Sequence, residues 1–357
     1  MPRPLALGSA KPAVTSRLYA RPYMTGGVDN LATADPGSRS VEELAATAEA
    51  VVANVGSVLF GKDAAVWLGL CCLIAEGHLL VEDYPGVGKT TFAKAIARSI
   101  GLQLKRVQFT SDLLPADVTG AMVYDRSREE LVFRPGPVFT NLLLADELNR
   151  ASPRAQSALL EGMEERQVSV DGTTHLLPRP FMVIATQNPF DASGTHPLPY
   201  NQRDRFSVRV HLGYPPRSAE DALLVARDTR PQVDSLHPVC GASELGMLSA
   251  ALERIYVAPG LRSYVLDLVE ATRRHPEIAV GASPRAALAL VRVAGAFALC
   301  AGRAYVVPDD VKAVAEPVLA HRLALVPSAE LEGRSASELV RDLLSRAPVP
   351  VDGDGRG

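Results

Sequence analysis

The chain has 357 residues, more than one domain usually holds, so two domains with a full-sized core are expected. Its 47% hydrophobic, 22% charged and 5% aromatic residues describe a soluble globular protein with a helix-rich core of Ala, Val and Leu. A net charge of -3 argues against a surface built as a whole to attract nucleic acid.

In chain order, residues 1–39 carry five basic and two acidic side chains among Pro, Gly, Ser and Thr, without apolar period, and read as a disordered tail. No secretory leader is visible there, which makes the cytoplasm the expected compartment. Ser40 and Glu43 form a capping-box pattern that starts the first helix. The apolar run 64–75 falls short of the roughly 20 residues a bilayer demands, so it is expected as a core helix and no transmembrane segment is expected. Cys71, Cys72, Cys240 and Cys300 show neither zinc-ligand spacing nor a CxxC, and read as buried, reduced thiols.

From about 79 to 212, strand-like runs at 78–82, 106–109, 142–145 and 181–185 alternate with helical stretches. That alternation predicts a parallel sheet flanked by helices. Pro215 and Pro216 after Gly213 mark a boundary, and helices are predicted beyond it at 217–230, 243–255, 261–274, 284–301, 309–323 and 335–346. The expected organisation is a tail (1–39), an α/β core (40–213), an α-helical domain (214–346) and a C-terminal tail (347–357).

Chemistry concentrates at the ends of the predicted strands. Residues 82–90, EDYPGVGKT, follow a strand and precede a helix, the context in which glycines let backbone N–H groups approach phosphates at a helix N-terminus. Lys89 would hold the β- and γ-phosphates and Thr90 would place its hydroxyl on Mg²⁺. Asp83 stands where the GxxxxGK(S/T) pattern has its first glycine, so a solvated lysine on a strand–helix turn is the competing reading. The apolar strand ending in Asp146 and Glu147 supplies a carboxylate for the metal shell and a base for the attacking water. Asn188, closing the next apolar strand, either positions that water or begins the turn before Pro189. Arg205 and Arg285 lie near predicted element ends and can supply the cations a triphosphate site needs.

Taken together, segments 81–90, 108–120 (QFTSDLLPADVTG), 133–137 (FRPGP), 145–151 (ADELNRA), 185–189 (ATQNP), 204–206 (DRF) and 281–286 (GASPRA) resemble the MoxR family of AAA+ ATPases over about residues 41–346. The resemblance implies a P-loop NTPase fold, an α/β parallel sheet followed by a smaller all-α lid. It also implies ATP and Mg²⁺ as ligands. Pro85, Gly86, Val87, Gly88, Lys89, Thr90 and Thr91 match Walker A, and Asp146 and Glu147 match Walker B. Asn188 matches sensor 1 and Arg285 sensor 2. Arg205 matches the arginine finger that acts on a neighbouring subunit's ATP, and Gly61 with Lys62 begins the adenine-side loop. Residues 164–180 are expected as the hairpin before sensor 1, turning at Asp171 and Gly172. Tyr200 stands where the family pattern leads one to expect Glu.

The expected function is therefore an ATPase working as a homo-oligomeric ring, expected hexameric. It would remodel a protein client or help a metal enter it, together with a von Willebrand A-domain partner, and no nucleic acid is expected. Alternatives are a helicase-like nucleic-acid motor, a magnesium-chelatase-like ATPase subunit, or a nucleotide-binding scaffold without turnover. A GTPase is unsupported, since no Asn-Lys-x-Asp motif occurs.

Overall fold

The computed structural model describes residues 39–189, 195–225 and 232–350; the predicted tails through residue 38 and from 351, and residues 226–230 of the predicted helix 217–230, lie outside them. The chain runs α1 (Val41–Gly56), α2 (Asp63–Ile74), β1 (Leu79–Glu82), α3 (Lys89–Ser99), β2 (Leu104–Gln108), α4 (Pro115–Thr119), β3 (Gly120–Asp125), β4 (Glu130–Pro135) and β5 (Leu142–Asp146). Then follow α5 (Pro153–Glu165), β6 (Gln167–Val170), β7 (Thr173–Leu176), β8 (Met182–Gln187), α6 (Tyr200–Arg203), β9 (Val208–Val210) and α7 (Arg217–Val225). The remainder is α8 (Ala242–Leu252), α9 (Pro259–Arg274), β10 (Ile278–Val280), α10 (Pro284–Cys300), α11 (Pro308–Leu319), β11 (Ala324–Leu325), α12 (Pro327–Leu331) and α13 (Ala336–Arg346).

Local chemistry explains several starts. The Ser40 hydroxyl accepts from the Glu43 N–H at 3.2 Å while the Glu43 carboxylate accepts from the Ser40 N–H at 3.0 Å, satisfying two otherwise orphaned donors of α1. Ser152 and Ser283 each cap a helix whose next residue is proline, a φ already set for helix.

β2, β5, β8, β1 and β9 form one parallel sheet in that order. Side chains alternate between its faces. Leu79, Val81, Leu142, Leu144, Met182 and Ile184 enter one apolar cluster, and Leu80, Leu143, Ala145, Val183 and Ala185 enter the other. Both faces are covered at β1, β5 and β8, which is why those three strands read as apolar runs. The first cluster continues through α1, α2 and α3 into α8, α9, α10, α11 and α13, so the sheet and the C-terminal helices share one core.

Differences from the sequence reading are instructive. The strand expected at 106–109 is Leu104–Gln108, and the helix expected at 309–323 gives way after Leu319 to a 3-10 turn at Ala320–Arg322. Glu164, expected in the hairpin, belongs to α5. The hairpin itself is β6–β7, with Asp171 (φ 53°) and Gly172 (φ 79°) both left-handed, as a two-residue turn between right-twisted strands requires. The β3–β4 hairpin was not foreseen: Val123, Tyr124 and Leu131 are exposed on it, so no apolar face marks it out. Cys71, Cys72 and Cys300 are buried free thiols as expected, and Cys240 is only partly buried. Among the described residues no helix is long and apolar enough to cross a membrane.

Candidate active site

In an open parallel sheet the C-terminal strand ends border the ligand crevice, and here β1, β8 and β5, which are neighbours, end in the loop 83–88, in Gln187 and in Asp146. The loop needs two left-handed residues before α3 can begin, and Gly86 (φ 81°) and Gly88 (φ 98°) supply them. A Cβ on Gly86 would meet no atom within 4 Å, so open space borders the loop, and the first-turn N–H groups of α3 begin directly after it. Val87 is buried and anchors the loop, Pro85 is exposed, and Thr90 and Thr91 are half-buried in the first helical turn.

Lys89 spans this cradle. Its Nζ donates to the Asp83 carbonyl at 2.7 Å and to the Gln187 carbonyl at 3.4 Å, tying the loop to the end of β8. Burial pulls its pKa below the usual lysine value, and the Asp83, Asp146 and Glu147 carboxylates oppose that shift.

The two acidic residues are set by Thr186, which the sequence did not single out. Its hydroxyl donates to Asp146 Oδ1 at 2.6 Å and accepts from the Glu147 N–H at 2.9 Å. Glu147 is left-handed (φ 58°), a sparsely populated conformation for a non-glycine residue that turns its side chain out of the strand's line. Its carboxylate pairs with Arg150 at 2.9 Å. Arg106 was also missed. From β2 it donates to Asp146 Oδ2 through Nε at 3.1 Å and Nη2 at 2.6 Å. Only strand order reveals it, because β2 pairs with β5 although 37 residues separate their facing ends. Asn188 follows β8, its carbonyl accepting from Asn149 Nδ2 at 3.4 Å. Asn149 Oδ1 and Gln187 Nε2 are buried without a hydrogen-bond partner among the described residues, a polar wall suited to a polar ligand.

Asp83, the departure from the P-loop pattern, engages the segment after β9. It is 4% exposed. Its Oδ2 accepts from the Gly213 N–H at 2.6 Å and its Oδ1 from the Tyr84 N–H at 2.9 Å. Lys62, 6% exposed, donates to the Leu212 and Gly213 carbonyls at 2.6 and 2.9 Å. Gly61 (φ 68°) lies against Pro216, where an added Cβ would come within 2.9 Å of the ring, and Tyr84 stacks on Tyr214 at 5.4 Å. The phosphate loop, residues 61–62 and the segment leaving β9 thus meet at one joint.

Arg205 and Arg285 form a separate group. Arg205 donates to the Leu160 carbonyl at 2.7 Å and pairs with Glu164 Oε2 at 2.8 Å, and Arg285 pairs with the other oxygen of the same carboxylate. The structure brings these two together, 80 residues apart in sequence, on the C-terminal turn of α5. Arg205 lines an open groove of about 410 Å³ with Ser157, Glu161, Glu165 and Gln202. Tyr200 is exposed beside it, with the Arg203 guanidinium 4.4 Å over its ring.

Residues 78–208 match the family model described as ATPase family associated with various cellular activities (AAA), and residues 270–343 match the AAA lid domain. The chain is 39% identical over 330 residues to Chaperone MoxR1 of Mycobacterium tuberculosis, covering 89% of this chain and 86% of that protein. It is 44% identical over 300 residues to the uncharacterized protein YeaC of Bacillus subtilis, covering 84% and 94%. A solved structure of a protein from Cytophaga hutchinsonii assigned as an ATPase superposes with a TM-score of 0.81 at 34% identity, covering 87% and 97%. The parallel sheet with a phosphate loop, the paired carboxylates and the helical lid agree with these relatives: the chain belongs to the MoxR family of AAA+ ATPases and hydrolyses ATP.

Proposed function

We propose that the protein works as a homo-oligomeric ring in which Arg205 and Arg285 of one subunit complete the ATP site of the next, and that turnover remodels a protein client. The observation that carries this is the convergence of both arginines on Glu164, in a group apart from Lys89, Asp146 and Glu147. A phosphoryl-transfer site needs cations where charge moves, and a protomer whose Arg205 lines a solvent-open groove, with Arg285 on the same Glu164, can offer both to a second copy.

Within each site, Lys89 and the N–H groups of the loop bind the phosphates, with Pro85, Gly86, Val87, Gly88 and Thr91 shaping the cradle. Thr90 and Asp146 are oxygen donors of the kind Mg²⁺ takes when phosphates and water fill its remaining positions. Thr90 and Asp146 would hold Mg²⁺ there, and its charge would offset that of the phosphate oxygens. Glu147 takes a proton from the attacking water, Asn188 orients that water, and Thr186 keeps the two carboxylates in register. Gly61 and Lys62 border the nucleoside side.

The name of the mycobacterial relative, a chaperone, supports a protein client, and the family resemblance adds a von Willebrand A-domain partner and metal delivery to the client as the forms this remodelling takes. The cytoplasm is the compartment this reading assigns. The test mixes Arg205→Ala protein with Lys89→Ala protein. Each alone should keep only a small residual turnover, and mixed assemblies should regain ATPase activity because some interfaces carry an intact loop and an intact arginine. No regain in assemblies verified as mixed would falsify the shared site.

A further inference from the structure

Asp204, Arg205 and Phe206 are gripped from the C-terminal helices by side chains that nothing above assigns to the reaction. The 3-10 turn after α11 presents His321 and Arg322, exposed by 0% and 4%. His321 Nε2 lies 2.8 Å from the Phe206 carbonyl, and Arg322 Nη2 donates to the same oxygen at 2.7 Å. A carbonyl only accepts, so Nε2 carries the imidazole proton. Arg322 Nε also lies 3.5 Å from Asp204 Oδ1. Both oxygens of Asp204 accept from the Ser283 hydroxyl at 2.9 Å, and that hydroxyl in turn accepts from the Ala286 N–H at the start of α10.

These contacts join two places that matter. Asp204 precedes Arg205, and Ser283 stands two residues before Arg285. The Asp204–Ser283 bond therefore fixes the spacing of the two arginines, and Arg322 fixes the backbone on the Arg205 side. Burial pulls the Arg322 guanidinium down to about 10, still fully protonated at neutral pH, with Asp204 opposing the shift. Arg322 Nε and Nη1 make no hydrogen bond among the described residues, so the Phe206 carbonyl takes its one hydrogen bond and Asp204 its ion pair.

We infer that Arg322 is a positioning residue for ATP hydrolysis: with Ser283 it locks the Asp204–Phe206 segment to the cap of α10, so that Arg205 and Arg285 are presented to the phosphates as one rigid pair. This rests on the role proposed above for the two arginines, but it holds whichever subunit's ATP they serve.

The test is a variant series with two readouts, nucleotide affinity from a fluorescent ATP analogue and turnover from single-turnover hydrolysis. Arg322→Ala should leave affinity unchanged and lower kcat about tenfold or more, the scale of an ångström-sized misplacement. In an Arg205→Ala, Arg285→Ala background the same change should cost little further, because both residues it positions are gone. An equal fractional loss in both backgrounds, a parallel loss of affinity, or an unaltered kcat in parent protein each overturns the proposal. Should Arg322→Ala fail to fold, Ser283→Ala removes the two bonds to Asp204 from the other side and is held to the same outcomes. The mixing of Arg205→Ala with Lys89→Ala separately tests the shared site, so failure there and failure here are distinguishable.

Discussion

The loop-and-carboxylate group and the arginine group are built by opposite strategies. Lys89, Asp146 and Glu147 take their places from backbone: three adjacent strands end together, two glycines turn the chain, and a strained φ at Glu147 aims the carboxylate. Arg205 and Arg285 take theirs mainly from side chains, through Glu164, Asp204, Ser283 and Arg322, with the Leu160 and Phe206 carbonyls as the backbone anchors. The first arrangement is rigid and local. The second is a relay of ion pairs and hydrogen bonds between segments far apart in sequence.

The comparison can be broken most strongly at Glu147. Glu147→Gln should retain ATP binding and lose about 10³-fold in kcat, the scale of a lost general base, read by hydrolysis against a binding titration. An unchanged kcat would remove Glu147 from its assigned role.

His78 ties the two groups together and gives the next largest effect. It accepts from the Val183 N–H in β8 and lies 3.0 Å from the Met163 carbonyl, one residue before Glu164. Burial pushes its pKa down to about 4, so the folded protein holds it neutral. Its contribution is complete above about pH 6.5 and is lost as pH falls from there toward 4, by up to about 3 kcal/mol. Thermal unfolding across pH 7.5 to 4.5 should show the loss, with a flatter profile in His78→Gln.

Asp83→Gly sharpens the contrast from the loop side. The carboxylate faces Gly213, so ATP affinity should stay within a few-fold while stability falls by about 2 kcal/mol, leaving the Gly213 N–H unpaired and Lys62 without its nearest anion. A large loss of affinity with intact stability would show the carboxylate acting on phosphate. Smallest is Glu164→Gln, which should lower kcat roughly tenfold by loosening both arginines, and have no effect in an Arg205→Ala, Arg285→Ala protein.

What could be read from the sequence follows the same division. The sheet, the helix caps at Ser40 and Ser283, the turn at Asp171 and Gly172, and the loop 83–88 announce themselves because their causes lie within a few residues of each other. The start of α5 carries the same Ser-Pro signal as α10, at Ser152 and Pro153, and could have been found by it. Arg106, Thr186, Glu164 and Arg322 could not. Each is an ordinary residue until the strand order or the packing of the lid sets it opposite a charge from 39 to 121 positions away. Asp83 is the informative intermediate case: its identity was conspicuous, but its partner, the Gly213 N–H, is 130 residues on.

That joint has a mechanical consequence. Any swing of the chain beyond Gly213 relative to β1 must drag the Lys62 ammonium off two carbonyls, pull an N–H from the Asp83 carboxylate and unstack Tyr84 from Tyr214. Partial displacement leaves buried polar groups unmatched, so the joint resists small swings more than a purely apolar contact of the same size would.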